Sequence, residues 1–216
     1  MSDDQIAKDI VRASLAHVPF DGWHMTSLQM GASDCGLGES DVTRLFPQGV
    51  PDAISLYAQI ADEDMVSAFH ALEEMPERTP AKIKALIMAR LSLAQAHKET
   101  VSKTVSYLAS PQQAALASKL LYNTVDVMWR AAGDDATDSS FYSKRATLAA
   151  VYSATLLAFL SDDSPELTKT EAFLDRRLQN VAQIPKITKP ARSALEGAAG
   201  LASQFLSRLA TGRQSR

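Results

Sequence analysis

The sequence predicts an all-α protein, with a small N-terminal head of three helices followed by a larger helical bundle. Its composition is ordinary for a globular protein, since hydrophobic residues make up 46% and charged residues 22% of the 216 positions. Apolar side chains recur at helical spacing, and no run alternates apolar and polar residues between hairpin turns. Prolines stand just before several of these patterns, where a missing N–H breaks no helical hydrogen bond. They are Pro51, Pro80, Pro111, Pro165 and Pro190.

About ten helices are expected, with boundaries good to about two to four residues. They run near 3–16, 26–34, 40–46, 52–74, 80–97, 100–109, 112–131, 140–160, 165–182 and 190–210. The helix at 140–160 has few polar residues after Arg145, and a helix that is apolar nearly all round belongs in the middle of a bundle. The chain is therefore expected to have three parts. These are a head at 1–50, a helical body at 51–184 and a basic amphipathic C-terminal helix at 185–216.

Charge is distributed unevenly along the chain. Residues 1–60 hold three basic and eight acidic residues, whereas residues 176–216 hold eight basic residues and one acidic residue. The formal net charge of −3 excludes a polybasic nucleic-acid binder. A single cysteine, Cys35, excludes a disulfide framework and a multi-cysteine metal site. The four histidines share no metal-ligand spacing, and neither a metal nor another cofactor is expected.

The N-terminal residues carry no targeting pattern. The chain begins Met1-Ser2-Asp3-Asp4, whereas secretory signals begin basic and mitochondrial transit peptides avoid acidic residues. The longest strongly apolar run, Ala146–Leu160, has 15 residues. About 20 are needed to span a bilayer. A cytoplasmic protein, or the matured form of a longer chain, is therefore expected.

The first three predicted helices resemble the DNA-binding head of TetR-type regulators. Trp23 precedes the second helix, and Phe46-Pro47 follows the third, where those proteins usually carry an aromatic residue. A recognition helix needs basic or amide side chains for phosphates and base edges. The candidate, Glu39–Arg44, offers two acidic residues and one arginine. No nucleic-acid partner is expected, although a TetR-type regulator that senses a hydrophobic ligand remains the alternative function.

A second alternative is a magnesium-dependent isoprenoid enzyme. Asp134-Asp135-Ala136-Thr137-Asp138 matches the DDxxD pattern of isoprenyl-diphosphate synthases, in which carboxylates hold Mg²⁺ against a diphosphate. Asp162-Asp163 is a possible second acidic cluster. Both clusters lie between predicted helices, where aspartates commonly cap helices and form turns. The chain is therefore not expected to be an enzyme.

The C-terminal segment has two interpretations. Apolar residues recur at helical spacing in the segment, and basic residues flank them. Such a helix packs on its own core or on a second subunit, or it lies in a bilayer interface. The residues expected to contact a membrane are Lys186, Lys189, Leu201, Phe205, Leu206, Arg208 and Leu209.

The segment from Met128 onward resembles a known family. It reads Met128-Trp129-Arg130-Ala131-Ala132-Gly133-Asp134, then Thr137-Asp138, Phe141-Tyr142 and Arg145-Ala146. This pattern is similar to that of the Coq nine family of ubiquinone-biosynthesis accessory proteins. Further similar stretches run through the chain in order: Val18-Pro19-Phe20-Asp21-Gly22-Trp23, Leu45-Phe46-Pro47, Tyr152, Asp163-Ser164-Pro165 and Phe173-Leu174.

The resemblance implies a TetR-like fold that does not bind operator DNA. It implies that the helical body binds an isoprenoid quinone intermediate or a phospholipid, and that the C-terminal helix attaches the protein peripherally to the inner membrane. It further implies that the protein is a noncatalytic homodimer. Its partner would be a di-iron hydroxylase, the demethoxyubiquinone hydroxylase, to which it presents the lipid.

The resemblance also assigns a partner-binding patch. Its residues are Met128, Trp129, Asp138, Phe141, Tyr142 and Arg145. Ser140-Phe141 stands where the mitochondrial pattern has Asn-Trp. An indole N–H donor is therefore absent at that position, while aromatic anchoring is retained.

A carrier of isoprenoid lipids needs an apolar tunnel, because each CH₂ removed from water is worth about 0.8 kcal/mol. The predicted helices at 112–131 and 140–160 could line such a tunnel. The candidate lipid-binding residues are Leu121, Val125, Leu148 and Tyr152.

Overall fold

The structure is a computed structural model that describes residues 2–134 and 140–183. Over those residues it contains α-helices and single 3₁₀ turns, and no strand. The helices are α1 (Asp3–Ser14), α2 (Val18–Asp21), α3 (Met25–Asp34), α4 (Glu39–Leu45), α5 (Val50–His70), α6 (Thr79–Ala94), α7 (Lys98–Leu108), α8 (Ala114–Ala131), α9 (Ser140–Leu160) and α10 (Thr168–Gln183). The all-α prediction is confirmed.

The predicted helices within the described residues all form, with shifts at their ends. Pro51 and Pro80 lie in the first turns of α5 and α6. Pro111 and Pro165 begin 3₁₀ turns that lead into α8 and α10. Helix α2 was not predicted, because four residues are too few to show a helical period. The C-terminal helix predicted at 190–210 lies outside the described residues.

The head is held together by a close crossing of α1 and α3 at Gly31. A Cβ atom at this position would lie 2.2 Å from Ser14 Oγ and 2.8 Å from the carbonyl oxygen of Ile10. The third helix of the head, α4, follows a tight turn at Gly36, whose φ is +73°. Such a φ is readily adopted only by glycine.

The core of the head continues into the body without a break. Buried apolar residues from α1 and α3 pack in one cluster with Ile54 and Ile60 of α5 and Leu120 of α8. Trp23 is 4% exposed, and its Nε1–H donates a hydrogen bond of 2.8 Å to Thr104 Oγ1 in α7. The buried indole therefore satisfies its polar group by tying the head to the body.

Helix α9 differs from the sequence expectation, because it is not buried on all sides. Its buried residues recur every three or four positions and include Arg145, Leu148, Tyr152 and Phe159. The opposite face is exposed, with small alanines and the large side chain of Leu157. Because these exposed alanines are small, they place little apolar surface in water. The apolar composition of α9 therefore did not mean that all of its faces are buried.

The chain divides into two compact units, residues 1–178 and 179–216. The first contains α1 to α9 and most of α10, and the structure describes only the first five residues of the second, 179–183. Among the described helices, none combines the length and the hydropathy that crossing a bilayer requires.

Candidate functional site: an internal cavity and an aromatic patch

A cavity of about 610 Å³ lies inside the body, within the size range of small-molecule binding sites. Its wall is formed by α1 and by α5 to α9. Most of the wall is aliphatic or aromatic, including Leu15, Ile54, Tyr57, Leu91, Leu93, Val101, Val105, Leu108, Leu120, Leu121, Tyr152, Leu156 and Leu157. The arrangement suits an apolar guest more than a polar one.

Two of the four predicted lipid-binding residues line this cavity. Leu121 reaches it from α8 and Tyr152 from α9. Val125 is fully buried and Leu148 is 3% exposed, and both pack in the interior without forming part of the described wall. The sequence does not determine which way these four side chains face, so it did not distinguish the cavity wall from solid core.

One part of the wall carries a hydrogen-bonded polar cluster. Arg90 of α6 donates from Nε to the hydroxyl oxygen of Tyr152 at 2.8 Å and from a terminal nitrogen to Asp62 Oδ1. Thr124 Oγ1 of α8 donates to Asp62 Oδ2 at 3.2 Å. Asp62 and Thr124 are themselves 7% and 3% exposed. The cluster therefore joins α5, α6, α8 and α9 around one buried ion pair.

Burial changes the titration of two groups near this cluster. Burial raises the pKa of Asp62 above its ordinary value, although the nearby Arg90 guanidinium and the Thr124 hydroxyl lower it in part. Burial also raises the pKa of Tyr57, a wall residue, to about 12. The Tyr57 hydroxyl is therefore a neutral hydrogen-bond donor at physiological pH.

The cavity opens to solvent past exposed leucines. Leu93 of α6 and Leu157 of α9 both line it, and they are 48% and 58% exposed. Arg12 and Asp64 are also on the wall, and each of their side chains is about half exposed. The solvent-accessible part of the wall therefore carries both apolar and charged side chains.

The predicted partner-binding patch forms where α8 faces the start of α9. Arg145 donates from Nε to Asp126 Oδ1 at 2.7 Å, and its Cζ lies 3.4 Å from the centre of the Phe141 ring. The rings of Phe141 and Tyr142 meet edge to face at 5.1 Å. Tyr142 is 73% exposed, so the aromatic pair reaches the surface on one side.

A lysine bridges the other aromatic residue of the patch to the end of α8. Lys144 Nζ lies 2.8 Å from Asp134 Oδ1 and 5.6 Å from the centre of the Trp129 ring. The backbone N–H of Asp134 donates to the carbonyl oxygen of Trp129 at 3.0 Å. Trp129 Nε1 is buried and has no hydrogen-bond acceptor among the described residues.

The patch residues differ in how far they reach solvent. Met128 is fully buried and Arg145 is 3% exposed, so any effect of these two on a partner is expected to act through their neighbours. Trp129 and Phe141 are partly exposed. Asp138 lies outside the described residues, as do the predicted membrane-binding residues Lys186, Lys189, Leu201, Phe205, Leu206, Arg208 and Leu209. The partner and membrane roles of these residues stay predictions.

Each described aspartate of the two acidic clusters contacts at least one cation or hydrogen-bond donor of the protein. Asp134 pairs with Lys144. Asp162 accepts hydrogen bonds from the backbone N–H groups of Ser164 and Thr170, at 2.8 and 2.7 Å. In the described part of the chain, no three histidine, cysteine or acidic side chains are grouped in a way that could hold a metal ion.

Comparison with known proteins gives matches over most of the chain. The COQ9 family model matches residues 114–185, which contain α8, α9 and α10. The ubiquinone biosynthesis protein COQ9 of Rattus norvegicus is 29% identical over 205 residues, which are 90% of this chain and 64% of the rat protein. The human COQ9 protein is 27% identical over 202 residues, 90% of this chain and 63% of its own length. The chain is similar to the COQ9 proteins.

The resemblance to the COQ9 family is thereby confirmed. The chain spans slightly less than two thirds of the length of the rat and human COQ9 proteins, whose names place them in mitochondria. The segment matched by the COQ9 family model contains the described patch residues and both Leu121 and Tyr152. It does not contain Asp62 and Arg90, which lie on α5 and α6.

A solved structure supports the predicted fold. The TetR transcriptional regulator from Nitrosomonas europaea aligns with a TM-score of 0.63 over 83% of this chain and 99% of its own, at 18% identity. Likeness at this identity shows the fold alone, since one fold hosts many functions. The TetR-like fold is confirmed.

Sequence reasoning missed Asp62 and Arg90 as members of the cavity cluster. They are 28 positions apart and meet only through the packing of α5 on α6. A lone arginine on a largely apolar helix gave one weak signal, because a buried arginine requires a partner. Nothing local in the sequence indicated which acidic residue that partner would be.

Proposed function

We propose that this protein is a noncatalytic accessory protein of ubiquinone biosynthesis that binds an isoprenoid quinone intermediate in its cavity. The observation that carries the proposal is the cavity of about 610 Å³, with its mostly apolar wall and the buried polar cluster at Arg90 and Tyr152. The similarity to proteins named for ubiquinone biosynthesis supplies the pathway. The isoprenoid tail would lie along the aliphatic wall, and the head would lie near Arg90 and Tyr152.

The energetics favour such a carrier. An isoprenoid tail in water loses about 0.8 kcal/mol for each CH₂ that is not buried. A wall built from several helices can offer apolar contacts along the tail, and the exposed Leu93 and Leu157 extend this apolar surface to the opening. The protein would thus receive the lipid without exposing its tail fully to water.

Delivery of the lipid to the hydroxylase would depend on two contacts, one made by the aromatic patch and one made with the membrane. In this proposal Trp129, Phe141 and Tyr142 dock the di-iron demethoxyubiquinone hydroxylase, which performs the chemistry. Exposed or partly exposed aromatic side chains are common anchors of protein interfaces. The C-terminal helix attaches the protein, as a homodimer, to the cytoplasmic face of the inner membrane.

Native mass spectrometry of gently purified protein tests the cavity, together with extraction of any lipid that copurifies. Leu121→Trp fills the cavity from α8, and Tyr122→Trp adds the same side chain at the neighbouring exposed position. We expect isoprenoid quinone or phospholipid in the wild type and in Tyr122→Trp, and much less in Leu121→Trp. A wild-type protein that is empty and does not take up decylubiquinone would exclude the carrier function.

The TetR-like fold also favours a second candidate, a transcriptional regulator that senses a hydrophobic ligand. The charges on α4 oppose it. Arg44 is paired with Asp3 and Asp41, at 2.5 and 3.3 Å, so the cation of this helix is already engaged within the protein. Specific binding to duplex DNA would be the deciding observation.

A further inference from the structure

We propose that the ion pair of Arg90 and Asp62 makes the cavity select lipids with an uncharged, hydrogen-bond-accepting head over lipids with an anionic head. This inference rests on the proposed function, because it assumes that the cavity binds a lipid. It adds a charge preference that involves two residues, Asp62 and Arg90, outside the segment matched by the COQ9 family model.

Arg90 is the described wall residue whose charge is most deeply buried. Its side chain is 11% exposed, whereas the side chains of Arg12 and Asp64 on the same wall are 48% and 51% exposed. A buried guanidinium needs a compensating charge. Asp62, with a side chain 10% exposed, supplies it in direct contact. The pair is neutral as a whole before any ligand arrives.

The cluster contains hydrogen-bond donors that have no acceptor among the described residues. Arginine has five N–H donors. In Arg90 one donates to Tyr152 and one to Asp62, and no acceptor among the described residues takes the other three. The Tyr152 hydroxyl accepts from Arg90, so its own proton is available to a ligand, as is that of the neutral Tyr57 hydroxyl. This part of the wall thus offers donors that match carbonyl or ether oxygens.

An anionic head would meet the same donors, but it would add a second negative charge close to Asp62. Like charges that share a buried site disfavour each other, since little water is present to screen them. A quinone or ester oxygen accepts the hydrogen bonds and leaves the ion pair neutral. The charge on Asp62, behind the wall, therefore sets the preference, while Arg90 and Tyr152 make the contact.

Isothermal titration calorimetry at neutral pH with the full chain tests the preference. The probes share a chain length and differ in the head: decylubiquinone and methyl decanoate are neutral, and decanoate is anionic. For the wild type we expect both neutral probes to bind about tenfold or more tightly than decanoate, because the decanoate carboxylate loses its hydration on burial and lies near the negative charge of Asp62. Equal binding, or tighter binding of decanoate, would overturn the inference.

Two α5 variants that each remove one negative charge locate the effect. Asp62→Asn removes the charge beside Arg90, and decanoate is expected to gain about tenfold in affinity relative to methyl decanoate. Glu63→Gln removes the neighbouring charge, whose side chain is 46% exposed and pairs with Lys8, and is expected to leave the ratio unchanged. An unchanged ratio in Asp62→Asn, or an equal change in both variants, would contradict the assignment.

Tyr152→Phe provides a second route if Asp62→Asn fails to fold, as judged by circular dichroism. It removes one donor and keeps the ring, so the neutral probes are expected to lose several-fold in affinity. No loss would contradict the proposed contact.

If no probe binds to the wild type, the proposed function itself fails. If the probes bind without regard to charge, the carrier function stands and only this inference is lost.

Discussion

The guanidinium of Arg145 lies between Asp126 and the ring of Phe141. Its Nε is 2.7 Å from Asp126 Oδ1, and its Cζ is 3.4 Å from the ring centre. Because the Arg145 side chain is 3% exposed, one buried cation fixes the spacing of α8 and α9. The same contacts hold the ring that supports the exposed Tyr142.

Arg145→Met is therefore expected to lower the free energy of unfolding by about 3 kcal/mol, since it removes one member of a buried ion pair. Arg130→Met is the matched control. Arg130 pairs with the same Asp126 at 2.8 Å, but its side chain is 74% exposed. That pair is expected to contribute less than about 1 kcal/mol. Urea unfolding of the two variants checks the difference, and equal losses would show that burial of Arg145 is not decisive.

Tyr142→Ala is expected to abolish or strongly weaken binding to the di-iron hydroxylase while changing stability by no more than about 0.5 kcal/mol. The reason is its position, since the ring is 73% exposed beside Phe141. Phe20→Ala removes another exposed aromatic ring, 86% exposed on α2, and should leave binding intact. Surface plasmon resonance with purified hydroxylase measures both. If Tyr142→Ala binds as the wild type does, the patch is not the docking site.

Asp162 makes the stability of the turn before α10 depend on pH. Burial alone would raise the pKa of Asp162, but hydrogen bonds from Ser164 and Thr170 outweigh burial and hold the pKa well below its ordinary range. A carboxyl group with a lowered folded-state pKa stabilises the fold above its unfolded-state pKa, about 3.9. This contribution is therefore complete at neutral pH and disappears as the pH falls below about 4 towards the folded-state pKa.

Asp162→Asn is accordingly expected to reduce stability by about 2 kcal/mol at neutral pH, the scale of hydrogen bonds to a charged acceptor. The gap between variant and wild type should shrink in strong acid. Asp163→Asn, next to it but exposed, is expected to leave the urea midpoint unchanged. A gap for Asp162→Asn that is constant with pH would show that the charge of the group is not what stabilises the turn.

The wild-type protein is not expected to retain duplex DNA in a mobility-shift assay. Helix α4 carries Glu39 and Asp41, and its Arg44 is paired with Asp3 and Asp41. Most of the nonspecific affinity of a protein for DNA comes from basic side chains that neutralise phosphates. The surface of α4 has no unpaired basic side chain for this role. A shift that survives excess competitor DNA would support the regulator instead of the carrier.

The order and extent of the long helices were predictable from the sequence because each has a period that propensity and proline position reinforce. The short α2 had no such period. The predicted end of α5 at residue 74 was also wrong, because the helix ends at His70 and exposed residues follow it. The helix propensity of the residues does not show at which position tertiary contacts stop stabilising a helix.

The cavity was harder to predict than the fold. Leu121 and Val125 are one helical turn apart and equally apolar, yet Leu121 lines the cavity while Val125 packs into solid core. The difference depends on how neighbouring helices are spaced, which a single helix does not encode. Asp62 and Arg90 required the same long-range information, since their contact joins two helices.

Trp23 donates its hydrogen bond to Thr104 and lies with its ring centre 5.7 Å from that of Tyr57. Both neighbours belong to the cavity wall. The indole is therefore an intrinsic fluorophore one residue away from the cavity. Since the sequence has only two tryptophans, Trp129→Phe leaves Trp23 as the single emitter. Loading and unloading of the cavity can then be followed in real time by its emission, without an attached dye.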